Sequence, residues 1–279
     1  MAKILFPTDF SSAAENAFLN ALSLAKKINA ELILLHVYEL PELGRALKTT
    51  TREVYEMMEM ESFEAFKEEV KKLREIASLN GYSDISFSHE MMEGDSIYRI
   101  NQVAEKYKVD YIVMGTKGAT GLKEIFLGSV ASGVIDSAAV DVICIPESTN
   151  HKTTLNKVAY LTNYQKEEQT GFKKIGDFAK MFNAEVLCVH FDGDDSCEKG
   201  EEMEAWKSKV DRPDVKLSYH VLKGNDFEKE LIRFNQENNI DLIAVQPRKK
   251  NIFARLFSKS VSKSIAHHLN VPLYTFPKI

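Results

Sequence analysis

The feature that most constrains how this 279-residue chain can fold is an internal repeat. Three pairs of segments match: 29–37 with 183–191 and 3–10 with 157–164, both at an offset of 154, and 109–114 with 240–245 at an offset of 131. His89 matches His220 at an offset of 131 as well. The chain is therefore predicted to contain two copies of one fold, and the smaller offset indicates that the second copy lost a segment between its second and third strands.

Each copy alternates short apolar runs with helical patterns. In the first copy, strands are expected near 3–7, 32–37, 85–91, 111–115 and 142–146. Unbroken apolar runs such as Leu32-Ile33-Leu34-Leu35 are typical of parallel strands that are covered on both faces. The alternation predicts an α/β fold of two tandem, doubly wound, open parallel five-stranded sheets of Rossmann-like type. The domains are expected at 1–147 and 155–279, called here the first and second copy, with a polar linker between them.

Composition narrows the class of protein. The net charge of −5 lacks the basic excess typical of nucleic-acid binders, so no nucleic-acid partner is expected. The longest apolar runs fall well short of the roughly 18 residues that a membrane span needs. Cys144, Cys188 and Cys197 have no Cys-x-x-Cys spacing, and the first two lie in apolar runs, where a buried thiol is the ordinary interpretation. These observations fit a cytoplasmic protein.

A glycine-rich loop follows the fourth strand of the first copy. It reads Gly115-Thr116-Lys117-Gly118-Ala119-Thr120-Gly121, and Gly128-Ser129 then precedes the fourth helix. Glycines let the backbone approach an anion closely, and a helix N-terminus presents free N–H groups to the same space. Ligands of open α/β sheets bind at this carboxyl edge. The loop therefore indicates a polyphosphate site, although turn glycines alone would also explain it, and Ser129 can either contact a phosphate or cap the helix.

The spacing Gly115-x2-Gly118-x9-Gly128-Ser129 resembles the universal stress protein family, whose ATP-binding members carry G-x2-G-x9-G-[S/T]. The opening Ile4-Leu5-Phe6-Pro7-Thr8-Asp9-Phe10-Ser11 and the strand end Leu34-Leu35-His36-Val37 are similar to that family too. The resemblance covers the first copy from end to end and the second copy more faintly.

The resemblance implies a site for one adenine nucleotide, ATP or else ADP or AMP, with Mg²⁺ bridging its phosphates. Ten residues are implied: Asp9 for the nucleoside, Pro7 and Thr8 for the adjoining wall, Val37 for the adenine, Met114 and Gly115 for the floor, and Gly118, Gly128, Ser129 and Val130 for the phosphates. None of them is expected to bind metal directly or to act as a catalyst. Asp9 has an alternative role as a helix cap, and His36 and His190, near strand ends, are interpreted as structural.

The second copy lacks this pattern. The offsets replace Gly115, Gly118, Gly121 and Gly128 by Gln246, Lys249, Ile252 and Lys259, and Asp9 by Asn163. Side chains at these positions disfavour a close approach of the backbone to a ligand. The second copy is therefore predicted not to bind ATP in the family's manner. Its basic loop is either a solvated cationic surface or a contact for an acidic ligand.

The leading functional hypothesis is a nucleotide-binding regulatory or stress-response protein without enzymatic activity. The sequence has no Walker motif, no set of kinase motifs and no evident carboxylate pair near the loop. The alternatives are a slow ATPase, autophosphorylation at Ser129, Thr116 or Thr120, and a structural module that a ligand only stabilises. The family resemblance also suggests that the copies form a pseudo-dimer through their last strands, 142–146 and 271–276. A homodimer of the whole chain and an unknown protein partner stay open.

Overall fold

The computed structural model describes residues 1–39, 51–116, 127–149, 151, 153–192, 200–210, 212–246 and 270–277. In the first copy the elements are β1 (Ala2–Pro7), α1 (Ser12–Ile28), β2 (Ala30–Tyr38), α2 (Thr51–Leu79), β3 (Phe87–Glu93), α3 (Ser96–Tyr107), β4 (Tyr111–Gly115), α4 (Ser129–Ser137) and β5 (Asp141–Ile145). In the second copy they are β6 (Lys157–Leu161), α5 (Glu168–Phe182), β7 (Glu185–Asp192), α6 (Gly200–Val210), β8 (Leu217–Lys223), α7 (Phe227–Asn238), β9 (Leu242–Val245) and β10 (Leu273–Thr275).

The strands of both copies form one continuous sheet in the order β3-β2-β1-β4-β5-β10-β9-β6-β7-β8. Within each half the neighbouring strands are parallel, and among the described strands only β5 and β10 meet antiparallel. The predicted α/β fold with two tandem five-stranded halves is confirmed, and the two halves join through their last strands. In each half the strand order reverses beside the first strand, and this is the point where such sheets bind ligands.

The junction between the halves is nearly symmetric. Tyr274 of β10 lies opposite Ile143 of β5, and Thr275 lies opposite Val142. At the offset of 131, Tyr274 is also the counterpart of Ile143, so a pseudo-twofold axis passes through this pair. Asp141 of the first copy stabilises the junction, because its carboxylate accepts hydrogen bonds from two residues of the second copy: the Tyr274 hydroxyl at 2.7 Å and Lys174 Nζ at 2.6 Å.

Helices cover both faces of the sheet, which explains the unbroken apolar strands. On one face Phe6 and Leu34 pack in a core with residues of α1, α2, α5 and α6. On the other face Leu5 and Leu35 pack with residues of α3, α4 and α7. Burying each of these side chains contributes about 1.5–3 kcal/mol. None of the helices found in the described ranges has the length and apolar character to cross a membrane.

Two of the three cysteines have the environment that the apolar runs indicate. Cys144 and Cys188 are both fully buried in the sheet. Burial raises the pKa of the Cys144 thiol to about 12 and also raises the pKa of Cys188. Both side chains are therefore protonated, inert core residues, while Cys197 lies outside the described residues.

The segment missing from the second copy is largely helical: α2 has 29 residues and α6 has 11. One predicted equivalence after this segment is wrong. His89 lies opposite Leu34, whereas Tyr219 lies opposite Cys188, the counterpart of Leu34. The counterpart of His89 is thus Tyr219, at an offset of 130, and not His220.

The two histidines in fact face opposite sides of the sheet. His89 packs against Phe66 of α2, and His220 packs against Phe234 of α7. The second copy has one extra residue between β8 and α7, where Gly224-Asn225-Asp226 replaces Gly94-Asp95. The offset between the copies is therefore 130 along β8 and becomes 131 only from α7 onwards. The match between the two histidines at 131 is thus a coincidence of sequence.

Candidate functional site

The turn after β1 is held in a strained but fixed conformation. Phe10 has a left-handed backbone with φ of 59°, which costs a residue other than glycine about 1–2 kcal/mol. The Thr8 hydroxyl accepts a hydrogen bond from Phe10 N at 3.0 Å, and His36 Nδ1 donates to the Thr8 carbonyl at 2.9 Å. These hydrogen bonds hold the strained turn in place. They thereby fix Asp9, which lies between Thr8 and Phe10, at the carboxyl edge of the sheet.

The second copy repeats this turn. Tyr164 has φ of 61°, its N–H donates to the Thr162 hydroxyl at 2.9 Å, and His190 Nδ1 donates to the Thr162 carbonyl at 2.9 Å. Because a backbone carbonyl can only accept, Nδ1 carries the proton in both histidines. The same bond in both copies supports the structural interpretation of His36 and His190.

Asp9 orients the start of α1 without being its cap. Its Oδ1 accepts hydrogen bonds from Ser11 N at 3.1 Å and from the Ser11 hydroxyl at 2.7 Å. Ser11 is the N-cap, since its Oγ accepts from Ala14 N at 3.3 Å. The Asp9 side chain itself is exposed at the carboxyl edge of the sheet.

The N-terminus of α4 faces the same space. Its N-cap is Gly128, which has φ of −66° and ψ of 163° and offers no side-chain cap to the first N–H groups of the helix. Gly128 N donates to the Thr116 carbonyl at 2.6 Å, which ties the helix to the end of β4. An uncapped N-terminus of this kind attracts anions. Ser129 is the first helical residue and is exposed, so it is not the cap.

The turn after β1, the ends of β2 and β4, and the starts of α3 and α4 enclose a cavity of about 170 Å³, called here the first-copy cleft. Nine of the ten residues predicted for the nucleotide line it: Pro7, Thr8, Asp9, Val37, Met114, Gly115, Gly128, Ser129 and Val130. Gly118, together with Lys117, Thr120 and Gly121, lies outside the described residues.

Six further residues, none of them among the ten implied for the nucleotide, line the cleft: Ala14, Leu35, Ser96, Ile100, Thr116 and Ala131. Ser96 and Ile100 come from α3, which the glycine motif does not include. Together with Leu35, Val37 and Met114, Ile100 makes one side of the cleft apolar, while Asp9 and the start of α4 make the other side polar. The cleft therefore suits a molecule with an apolar part and an anionic part.

In the second copy the matching region is filled by aromatic side chains. The rings of Phe191 and Phe227 meet edge to face with centroids 5.3 Å apart. By the offsets, these residues are the counterparts of Val37 and Ser96, two residues that line the first-copy cleft. At two positions that line the first-copy cleft, the second copy thus has aromatic rings packed against each other.

A carboxylate fills the polar side of the second copy. Glu168, the counterpart of Ala14, is 4% exposed. Its Oε2 accepts hydrogen bonds from the Thr162 hydroxyl at 2.7 Å, from Asn163 N at 2.9 Å and from Gln165 N at 3.1 Å. A negative charge is thus built into the turn where an anionic ligand would approach.

Gln246 is a further residue of the second copy that replaces a lining residue of the first-copy cleft. It is the counterpart of Gly115, is buried, and its Nε2 donates to the Pro277 carbonyl at 2.7 Å. Gly171 makes room for it, because a Cβ at that position would lie 2.6 Å from Gln246 Oε1. The basic residues that follow, Lys249 and Lys259 among them, lie outside the described residues.

Across the described ranges, His, Cys, Asp and Glu side chains form no group of three or more that could hold a metal ion.

Both copies of the fold have relatives among known proteins. A universal stress protein of Methanocaldococcus jannaschii is 37% identical over 144 residues, 51% of this chain and 81% of the relative. A second one from that organism is 33% identical over 157 residues, 51% of this chain and 93% of the relative. A crystal structure of a universal stress protein from Archaeoglobus fulgidus matches 99% of this chain and 96% of its own, with a TM-score of 0.71 at 21% identity.

The family match extends to both copies. The sequence model of the universal stress protein family matches residues 1–146 and again residues 155–277. The chain is thus a tandem member of the universal stress protein family.

Proposed function

We propose that the first copy binds one adenine nucleotide, ATP or a close relative, in the first-copy cleft. The observation that carries this proposal is that nine residues implied by the family resemblance line one cavity. These residues come from segments more than a hundred positions apart in the chain.

The chemistry of the cleft supports a division of roles. The adenine ring packs against Val37 and Met114 on the apolar side, and Asp9 accepts a hydrogen bond from the ribose. The phosphates lie at the uncapped start of α4, where the N–H groups and the helix dipole stabilise negative charge. Mg²⁺ would neutralise the remaining phosphate charge.

The second copy supports a stoichiometry of one. Bulky or charged side chains, Phe191, Phe227 and Glu168, replace Val37, Ser96 and Ala14 of the first-copy cleft, and the carboxylate would repel phosphates. One nucleotide per chain would therefore bind, and the second copy would serve as a fixed partner of the first. We propose that the bound state regulates contacts with other proteins in a stress response.

Calorimetry with ATP on the full chain tests the site. We expect binding with a stoichiometry near one, which Gly128→Lys abolishes because a lysine side chain blocks the approach to α4. Ala139→Lys is the matched control, since it adds the same charge at an exposed position beyond the far end of α4 and should retain binding. No heat of binding at millimolar ATP, or a stoichiometry of two, would contradict the proposal. Product analysis of the same samples separates binding from hydrolysis.

A further inference from the structure

A second cavity, called here the junction cavity, lies where the two copies meet. It has a volume of about 230 Å³ and shares no lining residue with the first-copy cleft. Its floor is formed by Val113, Ile143 and Ile145 of the central strands, and its walls come from α1 and α5. Leu24 of α1 and Phe178 of α5 both line it. The cavity is thus mainly apolar and bounded by both copies.

The pseudo-twofold axis allows a direct comparison with the other side of the junction. There, Tyr111, Tyr274 and Phe276 are the counterparts of the cavity residues Leu242, Ile143 and Ile145. The Tyr274 ring lies 4.9 Å from Phe276, 5.0 Å from Phe178 and 6.4 Å from Tyr111, measured between centroids. Tyr274 and Phe276 are at most 2% exposed. Three aromatic rings therefore fill one side of the junction, while three aliphatic side chains line a cavity on the other.

The two sides also differ in charge. The side with the three aromatic rings has an ion pair between Asp141 and Lys174. At the junction cavity, Pro272 corresponds to Asp141 and Asn20 corresponds to Lys174, so this ion pair has no counterpart there. Among the described lining residues only Asp241 is charged, and its Oδ2 already accepts hydrogen bonds from Asn156 N at 2.8 Å and from Lys157 N at 3.1 Å. An anionic ligand would thus find no counter-charge among these residues, and a cationic ligand would find only this carboxylate, which the backbone already engages.

Polar groups are present at the rim of the cavity. The Ser148 hydroxyl donates to Asn270 Oδ1 at 2.6 Å, and Asn20 Nδ2 donates to the Asn16 carbonyl at 2.9 Å. Amide and hydroxyl groups of this kind can accept or donate one hydrogen bond to an uncharged ligand while its body stays on the apolar floor.

We propose that the junction cavity binds a small uncharged aromatic molecule of one or two rings. The ligand would supply the aromatic surface that Tyr111, Tyr274 and Phe276 provide on the other side, and it would touch both copies at once. The proposal does not depend on nucleotide binding, since the two sites are separate.

The test uses the full chain with ¹³C-labelled isoleucine δ1 methyl groups, titrated with indole and with p-cresol. We expect saturable shifts of the Ile143 and Ile145 methyl signals, with the signal of Ile175, which is buried outside the cavity, unchanged. Excess ATP should leave the shifts unaltered. Benzoate and benzylamine, which carry charges, should bind at least tenfold more weakly than p-cresol.

Two variants fill the cavity. Ile145→Phe copies the residue on the other side of the junction, and Ser23→Trp places a ring over the wall formed by α1. Each should raise the dissociation constant of indole at least tenfold, and either one suffices if the other does not fold. The absence of saturable shifts at millimolar probe would overturn the proposal. So would unchanged affinity in a folded cavity-filling variant, or equal binding of the charged probes.

Discussion

Removing the Asp141 carboxylate should weaken the junction by a predictable amount. In Asp141→Ala, the Tyr274 hydroxyl, in a residue only 1% exposed, loses its acceptor, which costs about 1–3 kcal/mol. The side chain of Lys174 is 45% exposed, so water replaces its lost partner and the ion pair contributes only about 0.2–1 kcal/mol. The free energy of unfolding should therefore fall by about 2 kcal/mol.

A double-mutant cycle with Tyr274→Phe tests the cause. The pKa of Tyr274 is raised above its ordinary value, mainly by burial, so its hydroxyl stays protonated and donates. Tyr274→Phe alone should cost about 1 kcal/mol. Asp141→Ala should cost less in its presence, with a coupling of at least about 1 kcal/mol by urea unfolding. Additivity within about 0.5 kcal/mol would refute the idea that these two groups lock the junction.

Three further predictions concern the cleft, the helix contact beside it and the pH dependence. Ala14→Glu should abolish ATP binding by calorimetry, because it copies the carboxylate that fills the second copy, whereas Ala14→Ser should retain it. Gly133→Ala should lower stability by about 1–3 kcal/mol in urea, since its Cβ would lie 2.2 Å from Ile97 Cδ1, and Ile97→Val should restore part of the loss. Burial lowers the pKa of His220, so the unfolded chain binds protons more readily and stability should fall as the pH drops through about 6.5. His220→Gln should flatten that part of a urea-unfolding profile measured between pH 5 and 7.5, and an unchanged slope would contradict this account.

Much of the fold could be predicted because the repeat is recorded in the apolar pattern. The unbroken run from Leu32 to Leu35 predicts a strand covered on both faces, and its recurrence predicts a second sheet of the same kind. The register of β3 and β8 could not be predicted in this way. These edge strands are only partly buried, so few side chains specify a face, and the similarity of His89 to His220 suggested the wrong alignment.

The candidate site, too, has a part that could be predicted from the sequence and a part that could not. Glycines and Asp9 form a local pattern, so the segments that carry them could be chosen from sequence. Ser96 and Ile100 line the cleft only because α3 packs beside α4, a tertiary contact without a local signal. The replacements in the second copy do have a signal in the sequence: the offset of 154 places Glu168 at the position of Ala14, just as the offset of 131 places Gln246 at that of Gly115.

The pseudo-twofold axis has a consequence for how the two sides of the junction can change. In a dimer of identical chains, a residue on the axis meets its own copy, and a substitution there alters both sides equally. Here one mutation reaches Ile143 without altering Tyr274. Substitutions can therefore change the two sides of the junction separately. One side can contain a cavity while the aromatic packing on the other side continues to stabilise the contact between the two copies.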